Sequence, residues 1–176
     1  TPRILSPSTS IIAAVTLALA AMGAGAQAVE VEGVKLDPTA QVGGATLQLN
    51  GAGVRTRVVF KVYVGALYLT QKNTAANAIL SDAGAKRVAL HVLRDLTADQ
   101  LLGALNDGLK ANHMAEQLAK LDAHTRQLET IFKSVKAAKN GDTILIDFLG
   151  EPGTRITVNG EAKGNIAGAD FGRALL

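Results

Sequence analysis

Apolar and polar residues alternate with a period of two along most of the chain, and the period shifts to that of a helix only in the middle. Val29–Val34 and Ala45–Asn50 read as short strands, the second closing at Asn50-Gly51, with Gly43-Gly44 and Gly51-Ala52-Gly53 as punctuation. Val54–Leu69 is rich in β-branched and aromatic residues and lacks proline, so it gives the strongest strand signal, with Gly65 as a candidate bulge or bend. Thr74–Asp82 predicts a short helix, and Arg87–Leu93 another strand. Thr97 then begins a capping box with Gln100, and Leu101, Leu105 and Leu109 follow on one helical face. A longer helix is expected from about Met114 to Ala138, ended by Asn140-Gly141. Thr143–Leu149, Thr154–Val158 and Glu161–Lys163 close the chain as strands, joined across Glu151-Pro152-Gly153 and Asn159-Gly160. Strands, then helices, then strands predict an α+β fold, with one antiparallel sheet and the helices on one of its faces.

Ahead of this pattern, Ile11–Ala21 is an apolar run followed by Ala26-Gln27-Ala28, the small-x-small form at which a signal peptidase cuts. The run is too short for a spanning helix, so residues 1–28 are expected to be a signal peptide removed after Ala28. Residues 29–176 would then be one domain without a stable membrane span, periplasmic or secreted. Cleavage removes Arg3 alone among the charged residues and lowers the formal net charge from +3 to +2.

Composition narrows the chemistry. With no Cys, thiolate catalysis, disulfides and Cys-type metal sites are excluded, and an oxidising compartment holds no hazard for the chain. Cations and anions are mixed along nearly every segment, and the aromatics are four Phe and two Tyr without Trp, so nucleic acid is not an expected partner. His91, His113 and His124 lack the spacing of a zinc site and read as structural or surface residues. Ser81 and Ser134 stand in no nucleophile-elbow context. Gly51-Ala52-Gly53 precedes a strand instead of a helix, unlike a phosphate cradle.

The strongest candidate site lies on the long strand. Side chains alternate, so Arg55, Arg57, Val59, Lys61 and Tyr63 share one face, while Val54, Thr56, Val58, Phe60, Val62 and Val64 share the other. Arg55 and Tyr63 would stand about 26 Å apart. A bulge would break this parity and could separate Arg57 from Arg55. Such a face is either wetted by solvent or is an anion site, in which guanidinium offers a planar fork, Lys a point charge and Tyr a hydroxyl donor on an apolar body.

Gly51-Ala52-Gly53-Val54-Arg55, then Phe60-Lys61-Val62-Tyr63 and Ala66-Leu67-Tyr68-Leu69, resemble a signature of the chalcone isomerase superfamily. Asn159-Gly160, Lys163-Gly164, Ile166, Gly168 and Phe171 are similar to its exported bacterial chalcone-isomerase-like branch. The likeness implies an open-faced β-sandwich, a large antiparallel sheet under a layer of helices, with a ligand cleft between them. In the plant enzymes the motif Arg stabilises charge as a phenolate adds to an enone, with no metal or organic cofactor. Fatty-acid-binding members use that Arg, with a Tyr, to hold a carboxylate. Carried over by position, Arg55 matches this Arg, Lys61 the motif Lys, and Tyr63 falls where the enzymes have Thr. The true isomerases also place a Tyr and, seven residues later, an Asn on a cleft helix; in the corresponding Thr97–Leu109 segment, Gln100 and Asp107 take those places, with Asn106 one residue off. The chain stops at Leu176, where relatives continue, which reads as a truncated C-terminus.

The resulting expectation is a binding protein for a small amphipathic anion, a fatty acid or a phenolic compound, through Arg55, Lys61 and Tyr63. A cofactor-independent intramolecular lyase with Arg55 as its catalytic residue is the enzyme alternative. A protein acting through its surface in envelope assembly is the third.

Overall fold

The computed structural model describes residues 28–176. All but the last residue of the expected signal peptide therefore lie outside the described residues. The chain starts with a small hairpin, β1 (Val29–Val31) and β2 (Val34–Leu36), turned by Glu32-Gly33 with positive φ at both. β3 (Thr39–Val42) and β4 (Ala45–Arg57) follow around Gly43-Gly44, then β5 (Phe60–Leu69), the short helix α1 (Ala76–Ser81) and β6 (Lys86–Val92). After β7 (Leu96–Thr97) come α2 (Ala98–Asn112) and α3 (Ala115–Val135), then β8 (Ala137–Ala138), which pairs with β7. β9 (Thr143–Phe148), β10 (Thr154–Val158), β11 (Glu161–Ile166) and α4 (Ala169–Leu175) complete the order.

Seven strands form one curled antiparallel sheet in the order β11-β10-β9-β6-β5-β4-β3. The alternation of apolar residues buries both faces, each in its own core. Ile144, Ile146 and Phe148 of β9 meet Leu101 and Leu102 of α2 and Leu128 and Phe132 of α3. On the opposite face Val64, Ala66 and Tyr68 of β5 pack with Leu36 of β2 and with Leu47 and Leu49 of β4. The α+β expectation and the helix layer hold. The predicted capping box is present: Thr97 Oγ1 accepts from the Gln100 N–H, and Gln100 Oε1 accepts from the Thr97 N–H.

Five sequence expectations need correction. The helix expected to run to Ala138 ends at Val135, because Lys136 turns the chain at φ +64° and Ala137–Ala138 pair with β7. Val29–Val34 is not one strand but most of a hairpin. Ala45–Asn50 and the start of Val54–Leu69 are one continuous strand through Gly51-Ala52-Gly53, because these residues stay in register with Leu67, Ala66 and Gly65. The expected long strand is instead cut at Val58-Val59, where the chain reverses in two residues and Arg57 pairs with Phe60. Gly65 sits in regular register opposite Gly53, and the ladder is irregular elsewhere, at Asn50 and at Val62.

Candidate functional site

The irregularity at Val62 shapes the site. Arg55 pairs with Tyr63 and Thr56 with Lys61, so Val62 is an extra residue on β5, a bulge whose carbonyl accepts from the Leu93 N–H at 3.0 Å. Beyond the bulge the alternation on β5 inverts. Val62 packs into the helix-side core, Tyr63 lines the cavities on that side, and Lys61 is turned away. Lys61 Nζ instead donates to Glu32 Oε2, in the turn of the first hairpin, at 2.6 Å. The expected trio is thus split: Arg55 and Tyr63 share a site, and Lys61 does not line it.

Two adjoining hollows lie between this face of β4–β5 and the helices. The first, about 630 Å³, is the polar one: Arg55, Arg57 and Arg94 line it together with Gln100 and Asp107 of α2. The second, about 730 Å³, is walled by Leu67, Ile79, Leu105, Leu109 and Leu175, with His113 and Arg173 among its polar residues. Arg55, Tyr63 and Ala104 line both. Each volume is within the usual range for small-molecule sites. The site is therefore a groove with three arginines and Asp107 at one end and a chamber walled mainly by Leu, Ile and Ala, with Arg173 and His113 in it, at the other, and Arg55 stands at the junction.

Arg55 is reached by solvent, and no carboxylate among the described residues pairs with it. Arg57 has the same parity on β4 and lines the polar hollow with it, because the bulge is on β5 and leaves β4 straight between them. Spacing gave no signal for Arg94, which follows β6 and lays its guanidinium 4.5 Å from the centre of the Phe60 ring. On α2, Gln100 and Asp107 are seven residues apart, two turns, and so both reach the hollow. The Gln100 carbonyl oxygen is already committed to the helix cap, which leaves its NH₂ to face a guest.

The histidines separate. His113 caps the end of α2, lines the second chamber and has Nε2 2.9 Å from the Ala174 carbonyl oxygen of α4, so it ties the two roof helices together at that end. His124 stacks on Phe171 with ring centres 5.6 Å apart. His91 is on the other face of the sheet, with Nδ1 3.3 Å from Thr143 Oγ1. Burial there holds its pKa below the ordinary histidine value, and Asp37 pulls weakly the other way. No cluster of His, Cys, Asp or Glu among the described residues could hold a metal ion.

The fold and the groove define an α+β protein with a ligand-sized cleft between sheet and helices. Residues 28–176 match the sequence profile described as chalcone isomerase-like, and the chain belongs to that family. Among solved structures it is similar to the Arabidopsis thaliana fatty-acid binding protein AtFAP1, with a TM-score of 0.64, 14% sequence identity, and coverage of 85% of this chain and 86% of that one. At that identity the likeness speaks for the fold. No curated protein matches.

Proposed function

We propose that this protein binds a small amphipathic anion, a fatty acid or a phenylpropanoid-like carboxylate or phenolate, with the anionic head at Arg55 and the apolar body in the chamber under α2. The observation that carries this reading is the position of Arg55, at the junction of an arginine-lined hollow and an apolar one and without an acidic partner among the described residues. A guanidinium there gains a charge-assisted hydrogen bond from a guest oxygen, while Leu67, Leu105 and Leu109 remove the guest's hydrocarbon from water at about 25 cal/mol per Å². Tyr63, lining both hollows beside Arg55, is placed to orient the head through its hydroxyl. The similarity in fold to a fatty-acid binding protein supports a lipid guest.

Binding is favoured over isomerisation by the residues of α2. The positions at which the true isomerases have a Tyr hydroxyl and an Asn amide hold Gln100 and Asp107, and a carboxylate cannot donate the hydrogen bond that an amide would give a developing enolate. Export to the periplasm or beyond belongs to the same reading and rests on residues 1–28.

Native mass spectrometry of protein purified from cells tests this. The wild type is expected to carry an added mass that organic extraction identifies as an amphipathic acid, and Arg55→Ala is expected to lose it. Empty protein in both cases, with no uptake of added fatty or phenolic acid, contradicts the reading. Turnover of a chalcone that disappears in Arg55→Ala would favour the lyase instead.

A further inference from the structure

Three strongly exposed apolar side chains fall together at one place, the tip of the β4–β5 hairpin, whereas Met114, 77% exposed at the start of α3, stands alone. Val58 is 89% exposed, Val59 76% and Phe60 56%, in succession. The turn is also the wrong one for these residues. Val58 has φ +58°, at the first central position of a two-residue reversal, where glycine is ordinarily found. A β-branched residue in that region is a genuine outlier, disfavoured by its own Cβ. A Gly-Asn pair would relieve the strain and remove two valines from water, so neither folding nor solubility accounts for Val-Val here.

What surrounds the tip is cationic. Arg57 precedes the two valines, Arg55 is two residues further back, and Arg94 reaches across from the end of β6 to cover the Phe60 ring. Lys61 follows Phe60, paired with Glu32, and Asp107 is the carboxylate that shares the hollow with the three arginines. Positive charge prevails. An apolar point with a basic collar matches the boundary of an anionic bilayer, where side chains enter the headgroup layer and cations meet lipid phosphates. Three side chains are too few to supply the roughly 800 Å² per partner of a stable protein interface, whereas a membrane asks only for a wedge. No helix among the described residues is long and apolar enough to cross a membrane, so the contact would be peripheral.

We propose that the Val58-Val59 tip docks this protein onto an anionic lipid bilayer, with Arg55, Arg57 and Arg94 as its electrostatic collar. Val58 and Phe60 line the same hollow as Arg55, so docking would bring the polar mouth of the groove against the lipid surface. The docking does not depend on what the groove binds.

Vesicle co-sedimentation tests it, with vesicles of phosphatidylglycerol and phosphatidylethanolamine set against vesicles of phosphatidylcholine alone. The full chain is expected to sediment with the anionic vesicles only. It should be released as added salt shortens the Debye length from about 10 Å towards about 3 Å. The double variant V58G/V59N is expected to unfold at a temperature no lower than wild type yet to bind at least about tenfold more weakly, and Val59→Asp to do the same without touching the strained position. Failure to bind anionic vesicles, equal binding to phosphatidylcholine, or full binding by V58G/V59N overturns the proposal. So does a dimer in sedimentation velocity that V58G/V59N dissolves, since the tip would then be a contact between copies.

Discussion

At the scale of single residues, the fate of Arg55, Lys61 and Tyr63 shows how one inserted residue sorts a motif. With ideal alternation all three would face the helices; with Val62 bulged, Lys61 is carried to the other face and closes an ion pair with Glu32. Lys61→Ala is accordingly expected to change ligand affinity by less than about twofold, because an exposed pair contributes little. Titration of wild type and Lys61→Ala with a fatty acid reads this directly. Away from the groove, burial lowers the pKa of His91. A histidine with a lowered folded-state pKa is charged more readily in the unfolded chain, so its contribution to stability is complete above the ordinary value near 6.5 and is lost as the pH falls through it. Denaturant midpoints measured from pH 8 down to pH 5 should therefore fall more steeply for the wild type than for His91→Gln. Identical slopes would remove His91 from the acid response.

At the scale of elements, turns that follow local chemistry contrast with the one that does not. Gly153 has φ +103°, and a Cβ there would lie 2.0 Å from the Ile166 carbonyl oxygen in the neighbouring strand β11. Gly153→Ala is expected to destabilise the protein by about 3 kcal/mol or more, against about 1 kcal/mol for Gly33→Ala, whose positive φ faces open space. Chemical denaturation of the two variants checks the ranking. The sequence announced the Glu151-Pro152-Gly153 and Asn159-Gly160 turns, the capping box at Thr97 and the strand Thr154–Val158, because each is written in short-range residue preferences. It concealed the reversal at Val58-Val59, since two valines are strand formers and only the pairing of β4 with β5 forces the turn. The bulge at Val62 was hidden for the same reason. Arg94 was illegible because its place in the site depends on how β6 ends against the hairpin, a contact between segments far apart in the chain. Arg55 and Tyr63 were legible through strand alternation and the family motif, and Gln100 and Asp107 only through the resemblance to the family's cleft helix.

At the scale of the whole molecule, the sheet serves two cores unequally. Opposite the helices, Val64, Ala66 and Tyr68 are sealed under the first hairpin and β4, and Tyr68 donates to the Asp37 carbonyl oxygen at 3.0 Å. On the helix side the core is dense beneath α3 and opens towards β4–β5, where Arg55, Tyr63 and Leu67 form the floor. Helices α2 and α4 roof the room above them without filling it, and that room is the groove. The central claim is that Arg55 holds the anionic head of a guest in this groove. Displacement of a dansyl-labelled fatty acid, followed by fluorescence for wild type, Arg55→Ala and Arg55→Lys, tests it most directly. The account predicts saturable binding, a loss of about 10- to 100-fold in Arg55→Ala, partial recovery in Arg55→Lys, and no such loss with the methyl ester of the competing fatty acid. Equal affinity of wild type and Arg55→Ala for the acid, with both folded, would contradict it.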